Sequence, residues 1–296
     1  MHRFLPAIGF YHPLCKQDVD QLLGYIMNEP DLRKETSLGK TMGNYVEISK
    51  DLGHNIGITI RGQYDKLGFF HIEHYFPYCK CGVYTATEDI VVNKRVDTDA
   101  YTAMCDDIRL GVSMIFYLQN AVDYLAIHAA DNTPRKAKLS LSGLSLQGTI
   151  LLGVAHTDEF IKKKNYEKRI RKQLMMQAKE GDQDAIDSLM VDDMDLNERI
   201  MQRSKREDLY SIVDTSFIPY GSESDNYLVI GTIVTWTVVT NQYTHEDVYH
   251  LLLNCNDIVI AVSINCKDLS GSPGIGCRFK GVIWMQGFVD FQSMKE

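Results

Sequence analysis

The sequence predicts an α+β protein with an N-terminal helix and two similar antiparallel β units, which a charged helical segment joins. Three observations lead to this prediction. Apolar residues recur with a helical period near the N-terminus, they alternate with a period of two farther along, and a densely charged stretch separates two β-rich regions. The expected boundaries are 1–152 for the helix and first β unit, 153–209 for the helical segment and 210–296 for the second β unit.

The first helix and the strands after it follow from apolar spacing. One helical face is formed by Val19, Leu22, Leu23, Ile26 and Met27. Pro30 ends this helix, because proline lacks the backbone N–H that a helix needs. Alternation at Val46–Ile48, Ile56–Ile60 and Phe70–Phe76 then predicts three half-buried antiparallel strands, with one face in the core.

Two similar decapeptides suggest an internal repeat. Residues 105–114 and 255–264 are identical at five of ten positions. Two more pairs of segments follow the same order: Phe76–Tyr78 with Ile218–Tyr220, and Gly143–Gly148 with Gly281–Gly287. We therefore expect residues 69–152 and 210–291 to be copies of one antiparallel unit. The apolar run from Ile108 to Ala130 fits a strand or a helix, and the β-branched residues of the second copy favour a strand over Ile108–Leu118.

The joining segment is predicted to be helical. Thr157 is a suitable N-cap, and Gly181 is a suitable stop for the first helix. A short second helix would start at Asp182, and a third would run from about Asp193 to Glu207. The β pattern then returns in Tyr227–Thr240, in Ile258–Ile264 and, after the Ser270–Gly274 turn, in Val282–Phe291.

Charge is distributed unevenly along the chain. The whole chain has 31 basic and 39 acidic residues, a net charge of −8, which argues against nucleic acid as the main partner. Residues 158–207 hold 12 basic and 12 acidic residues, so the rest of the chain carries the entire negative balance. A protein partner for helices 158–207 is one expectation, and a solvated or self-paired helix surface is the alternative. The seven cysteines show no framework spacing, and with neither a secretory signal nor a membrane-length apolar run they indicate a cytoplasmic location, away from membranes.

No catalytic, cofactor or metal motif is complete. His71, His74, Cys79 and Cys81 are close in sequence, but strand geometry points the two histidines to opposite faces. The histidines of His245–His250 are five residues apart rather than four, so we interpret this stretch as the start of a helix capped by Thr244. The glycines near Gly274 lead into a strand, unlike a phosphate-binding loop. Asp107 and Asp257 are interpreted as turn residues, and no cofactor or metal is expected.

Four stretches of the sequence are distinctive as motifs: Met1–Phe10, Ile115–Asn120, Ser211–Thr215 with Ile218–Gly221, and Arg278–Gly287. They resemble an uncharacterised protein family of Clostridia and related anaerobic Gram-positive bacteria. The resemblance spans essentially the whole chain. It implies a bacterial cytoplasmic protein, and it transfers no catalytic or binding residue.

Three classes of function agree with these observations. The first is a non-enzymatic interaction or scaffold protein, which we favour because no nucleophile, metal or phosphate motif is complete. The second is a small-molecule binding protein with a pocket between the two β units, where Tyr78, Tyr220, Arg278 and Lys280 would gather. The third is an enzyme whose site is assembled from scattered Asp, His and Tyr side chains.

Overall fold

The structure, a computed structural model, describes residues 2–37, 44–65, 67–95, 100–107, 112–128, 135–153, 158–204 and 213–291. In these ranges the chain forms helices and two β-sheets, which confirms the α+β class and the helix near the N-terminus. The helices are α1 (Lys16–Asn28), α2 (Ala121–His128), α3 (Asp158–Lys179) and α4 (Gln183–Ser204), and a short 3₁₀ helix, Leu5–Ile8, precedes α1.

The smaller sheet is an antiparallel meander of four strands. They are β1 (Leu32–Ser37), β2 (Asn44–Gly53), β3 (Ile56–Tyr64) and β4 (Phe70–Cys79). The apolar side chains of β2 and β3 pack in one cluster with the 3₁₀ helix and with the buried face of α1, which includes Leu22 and Ile26. The predicted α1 and these strands are therefore confirmed.

The prediction that these strands are half-buried is wrong for β3. Its polar Thr59 is 4% exposed and Arg61 is fully buried. The larger sheet explains this burial, because Arg61 donates to the Leu118 carbonyl at the end of one of its strands. The β3 strand is thus covered on both faces.

The larger sheet has ten strands. They are β5 (Ala86–Lys94), β6 (Tyr101–Asp107), β7 (Val112–Leu118), β8 (Arg135–Leu151), β9 (Ser216–Pro219), β10 (Asn226–Thr240), β11 (Asp247–Cys255), β12 (Ile258–Asn265), β13 (Leu269–Ser270) and β14 (Arg278–Asp290). The long strands β8 and β14 pair antiparallel along most of their length. Two closed rings of strands share this pair. One ring runs from β8 through β5, β6 and β7 to β14, and the other runs from β14 through β10, β11 and β12 back to β8.

Two segments that the sequence aligned do not occupy equivalent positions. Phe76–Tyr78 lies in the small sheet, whereas Ile218 and Pro219 lie on β9 of the large sheet. In the aligned decapeptides, Cys105 is paired with Met114, but Cys255 is paired with Ile258 across a two-residue turn. Val112–Leu118 is a strand as predicted, and residues 108–111 lie outside the described residues.

Two local predictions are wrong. The predicted second and third helices are one continuous helix, α4, which begins after Asp182, whose side chain accepts from the backbone N–H groups of Asp184 and Ala185. The stretch His245–His250 is a turn followed by β11, because β10 and β11 form a hairpin in which His245 has a φ of 59°. Gly181, with a φ of 91°, does end α3 as expected, and Thr157 lies outside the described residues.

Candidate functional site

The polar face of the small sheet is built from cross-strand pairs. Glu47 is opposite Arg61, Ser49 is opposite Thr59, and Asp51 is opposite Gly57. Each pair shares one face, because partners in an antiparallel register point the same way. The apolar residues between them point to the opposite face, so one strand pair provides both the core and the site.

Arg61 holds the two sheets together. Its guanidinium forms an ion pair with Glu47 at 2.6 Å, and it donates to the Tyr117 hydroxyl at 3.0 Å and to the Leu118 and Gln119 carbonyls. The same carboxylate of Glu47 accepts from the Ala121 backbone N–H at the start of α2. Burial raises the pKa of Glu47, and the neighbouring Arg61 opposes that shift. The pair is therefore a buried, hydrogen-bonded tie between the sheets.

A second polar cluster stands at the other end of this face. The Tyr78 hydroxyl donates to Oδ1 of Asp51, and the Lys80 ammonium donates to the same oxygen at 2.5 Å. Gly57 makes this contact possible, because a Cβ on it would lie 2.4 Å from the Tyr78 hydroxyl oxygen. The Asp51 backbone N–H donates in turn to Asp31 at 2.8 Å. Tyr78 and Lys80 thus hold the Asp51 carboxylate, and Asp31 holds the Asp51 backbone.

A cavity of about 270 Å³ lies between the two clusters and the large sheet. Its charged lining consists of the carboxylates of Asp31, Glu47 and Asp51 and the ammonium groups of Lys34 and Lys80. Gln119, Asn120, Ser140 and Phe288 close it from the side of the large sheet. Lys34 is held in place by Asp123, whose two oxygens each lie 2.8 Å from its Nζ. The cavity is therefore a preorganised site with charges of both signs.

Three ionisable groups of this cavity are held in a protonated or an ion-paired form. Burial raises the pKa of Tyr78, and Asp51 raises it further, so the phenol remains a protonated donor. Burial also raises the pKa of the Cys81 thiol, which disfavours the nucleophilic thiolate. Glu47 is committed to Arg61 and to the start of α2.

The four residues that the sequence placed in one pocket lie in three places. Tyr78 lines the inter-sheet cavity. Tyr220 and Lys280 line a second, more open cavity of about 510 Å³ together with Arg3 and Asn226. Arg278 is buried, lines neither of these cavities and donates to the backbone carbonyls of Leu152 and Val213.

Sequence reasoning missed Glu47, Asp51 and Arg61. A signal for them exists, because Glu47 and Arg61 occupy alternate positions of adjacent predicted strands that are joined by a tight turn. Opposite charges facing each other across a hairpin indicate a cross-strand pair. The burial of Glu47 and Arg61 required the second sheet, which the pattern of these strands does not reveal.

The candidate metal residues are held by other contacts. His71 contacts Asp65 at 2.9 Å, and Nε2 of His74 contacts the Tyr117 hydroxyl at 2.9 Å. Within the described ranges, no group of three His, Cys, Asp or Glu side chains is arranged to hold a metal ion. None of the helices in those ranges combines the length and the apolar character that crossing a membrane requires.

Comparison with known proteins places the chain in a family. Residues 5–287 match the family described as a domain of unknown function, E. rectale gene description (DUF3881), and the chain belongs to it. E. rectale is a Clostridial gut bacterium, so the resemblance to an uncharacterised Clostridial family is confirmed. No curated protein and no solved structure matches the chain. The family has no known function, and the site must be interpreted from its own chemistry.

Proposed function

We propose that the chain binds a small zwitterionic molecule, an ω-amino acid whose ammonium and carboxylate groups lie at opposite ends, in the inter-sheet cavity. The supporting observation is the lining of that cavity, where three carboxylates and two ammonium groups surround about 270 Å³. Small-molecule sites are concave and carry a few well-placed polar groups. With Arg61 behind Glu47 and Asp123 beside Lys34, three positive and four negative charges lie near the cavity, which disfavours a polyphosphate or another highly anionic ligand.

The ammonium end of the ligand would bind at Asp51. Both Tyr78 and Lys80 donate to Oδ1 of Asp51, and no hydrogen bond from the described residues reaches Oδ2. Oδ2, the second oxygen of this ionised carboxylate, is a strong acceptor for a charged N–H group. Asp31, whose side chain already orients the Asp51 backbone, adds a second negative charge beside it.

The carboxylate end would bind at Lys34. The contact with Asp123 fixes the position of its ammonium group, and an ammonium group has three N–H donors to share. Hydroxyl groups between the two ends, including the hydrogen-bonded Ser49 and Thr59, would contact polar atoms that lie between the two charged ends of the ligand. The group that would bind the ammonium end, Asp51, and the group that would bind the carboxylate end, Lys34, thus lie at opposite ends of the polar face.

A calorimetric and thermal-shift comparison of matched ligands tests this proposal. Free ω-amino acids should raise the midpoint of thermal unfolding, because a ligand that binds only the folded state stabilises it. The corresponding amides, which lack the carboxylate, and N-acetyl derivatives, which lack the ammonium group, should bind at least about tenfold more weakly. No response to any zwitterion, or equal binding of all three series, would refute the proposal.

The helical pair α3–α4 supports a second candidate function, protein interaction. On α4, Met190, Val191 and Met194 are exposed side chains on neighbouring turns, and exposed methionines are typical of adaptable binding surfaces. Met190→Lys with Met194→Lys should abolish capture of a specific partner, whereas Asp192→Lys should only weaken it. If both variants still captured the partner, this surface would be excluded as the binding site.

The internal repeat and the cytoplasmic location also remain proposals. In the first ring, β5, β6 and β7 are consecutive antiparallel strands that precede the long strand β8, and β7 is parallel to β14. In the second ring, β10, β11 and β12 are consecutive antiparallel strands that precede the long strand β14, and β12 is parallel to β8. This equivalent order supports a duplicated unit, with the helical segment 153–209 between the copies. If a superposition of β5–β8 on β10–β14 showed that the two units have different strand orders, the duplication would be refuted. Cell fractionation would test the location.

A further inference from the structure

Strand β10 has an edge without a partner strand over five residues. Up to Thr232, this edge is paired with β14, while the opposite edge is paired with β11 as far as Thr240. Ile233 closes the pairing through hydrogen bonds with Cys277 and Gly276. From Val234 to Val238, no strand in the described part of the chain pairs with the first edge. Backbone groups on such an edge are a template for another strand.

The side chains along this edge are apolar or hydroxylic and exposed. All five residues from Val234 to Val238 are exposed, and Trp236 retains 36% of its surface although its ring contacts Tyr249. β10 contains no charged residue between Asn226 and Thr240. Proteins commonly protect exposed edges with charges or proline, and here the only such device is the irregularity between Ile233 and Thr235.

The exposed residues form a palindrome. The sequence from 234 to 238 is Val-Thr-Trp-Thr-Val, which is identical in both directions around Trp236. An antiparallel pair of two copies has a two-fold axis, so residue 236 would face its own equivalent, and 234 would face 238. Valine would then meet valine, threonine would meet threonine, and the two tryptophans would meet at the axis.

We propose that a second copy of this chain pairs antiparallel with this edge, with the two-fold axis at Trp236. Electrostatics favour a second copy over another partner, because a two-fold pairing brings like residues together and this strand has no charges to repel each other. Cross-strand valine, threonine and aromatic pairs each add favourable contacts. Exposed Ile275, which is adjacent to the Gly276 that binds Ile233, extends the apolar surface beside the axis.

The contact is small. Five paired residues on each copy fall short of the interface area of stable complexes, so the dimer should dissociate at low protein concentration. This size predicts a reversible monomer–dimer equilibrium in the micromolar range rather than an obligate dimer.

Sedimentation velocity across that concentration range tests the proposal. The wild type should shift from monomer to dimer. Val234→Lys with Val238→Lys places lysine opposite lysine twice, and it should weaken the dimer at least about tenfold. Val234→Lys with Val238→Glu places lysine opposite glutamate in this register only, and it should restore most of the association. Leu67→Lys, which changes an exposed apolar residue far from β10 in sequence, is the control.

Circular dichroism and thermal unfolding should show that the variants keep the wild-type fold, since all the changed residues are exposed. A wild type that stays monomeric would overturn the proposal. So would equal association of the two double variants, because the register would then be wrong. Association that Leu67→Lys weakens as much as the double lysine variant would place the interface elsewhere.

Discussion

The two faces of the β2–β3 strand pair differ in chemistry although they share a backbone. One face carries Val46, Ile48, Ile58 and Ile60, which pack into the cluster that includes α1. The other carries Glu47, Ser49, Thr59 and Arg61, which face the large sheet. Both faces are buried, so the difference is not one of exposure. The apolar face gains stability from surface removed from water, whereas the polar face requires a partner for every group.

Breaking the Arg61–Glu47 ion pair of the polar face should have the largest effect on the free energy of unfolding. Arg61→Met leaves the buried Glu47 without its counter-ion and removes the donors to three acceptors. The free energy of unfolding in urea should fall by about 4 kcal/mol. Because burial raises the pKa of Glu47, the variant should regain stability as the pH falls and the lone carboxyl takes up a proton in the folded state.

A double variant sharpens this result. Glu47→Gln with Arg61→Met removes both charges while an amide oxygen remains near the Ala121 N–H. It should be less destabilised than Arg61→Met alone. Equal destabilisation would mean that Arg61 acts by filling space rather than by pairing.

The matched change on the apolar face is Ile58→Ala. Ile58 is fully buried, and truncation to alanine should cost about 3 kcal/mol from lost burial and the cavity left behind. Unlike Arg61→Met, this variant should show no additional pH dependence, because no ionisable group loses a partner. Chemical denaturation at two pH values distinguishes the two faces.

Gly57→Ala should disturb the polar face locally. The added methyl group would collide with Tyr78 and with the Lys50 carbonyl, so we expect about 2 kcal/mol of destabilisation. Affinity for the zwitterion should also fall at least several-fold, because the Tyr78–Asp51 contact would be broken. Gly24→Ala, on α1 where a Cβ meets open space, is the control and should leave binding intact without lowering stability. Unaltered affinity in Gly57→Ala would contradict the assigned role of Tyr78.

Acid should lower the stability of the apolar cluster that includes α1, because His2 contacts this cluster. The imidazole packs beside Trp284, and burial lowers its pKa from 6.5 to about 4, aided by the positive charge of Arg3. A folded pKa below the unfolded one makes protonation favour unfolding, so stability should be full above pH 6.5 and fall between pH 6.5 and 4. We expect a loss of about 1–2 kcal/mol across this window. His2→Gln should flatten the profile, and an unchanged profile would exclude His2 as the cause.

The smallest effect should come from Tyr78→Phe. It removes one hydrogen bond to Asp51 while Lys80 continues to hold the carboxylate, so stability should fall by only about 1 kcal/mol. Affinity for a zwitterion should fall several-fold, because Asp51 is then less well oriented. A calorimetric titration measures the change, and unaltered affinity would contradict the proposed ammonium site.

The sequence was informative where structure follows from local spacing. The apolar period identified α1 and the strands from β2 to β4, and the glycine at 181 identified the end of α3. It was less informative where the outcome depends on contacts between distant segments. The alternation around Glu47 and Arg61 predicts two different faces, but only the large sheet determines that the polar face is buried. For the same reason Tyr78 was selected and its partner Asp51 was not.

The His245–His250 region shows the same limit. Its composition fits the first turn of a helix, yet the hairpin between β10 and β11 sets its conformation through pairing with residues on the other strand. Tertiary pairing overrides local preference in strands more readily than in helices. Residues 76–78 and 218–220 look alike for reasons of sequence only, since they lie in different sheets.

The central claim is that the cavity on the polar face is the ligand site, and one titration tests it directly. Ser140 lies on β8 in the cavity wall, and Ser140→Leu would fill the cavity, whereas Thr149→Leu changes an exposed position of the same strand outside it. Calorimetric titration of the best zwitterion should show wild-type affinity for Thr149→Leu and at least about tenfold weaker binding for Ser140→Leu. Equal affinity for the two variants would show that the ligand binds elsewhere.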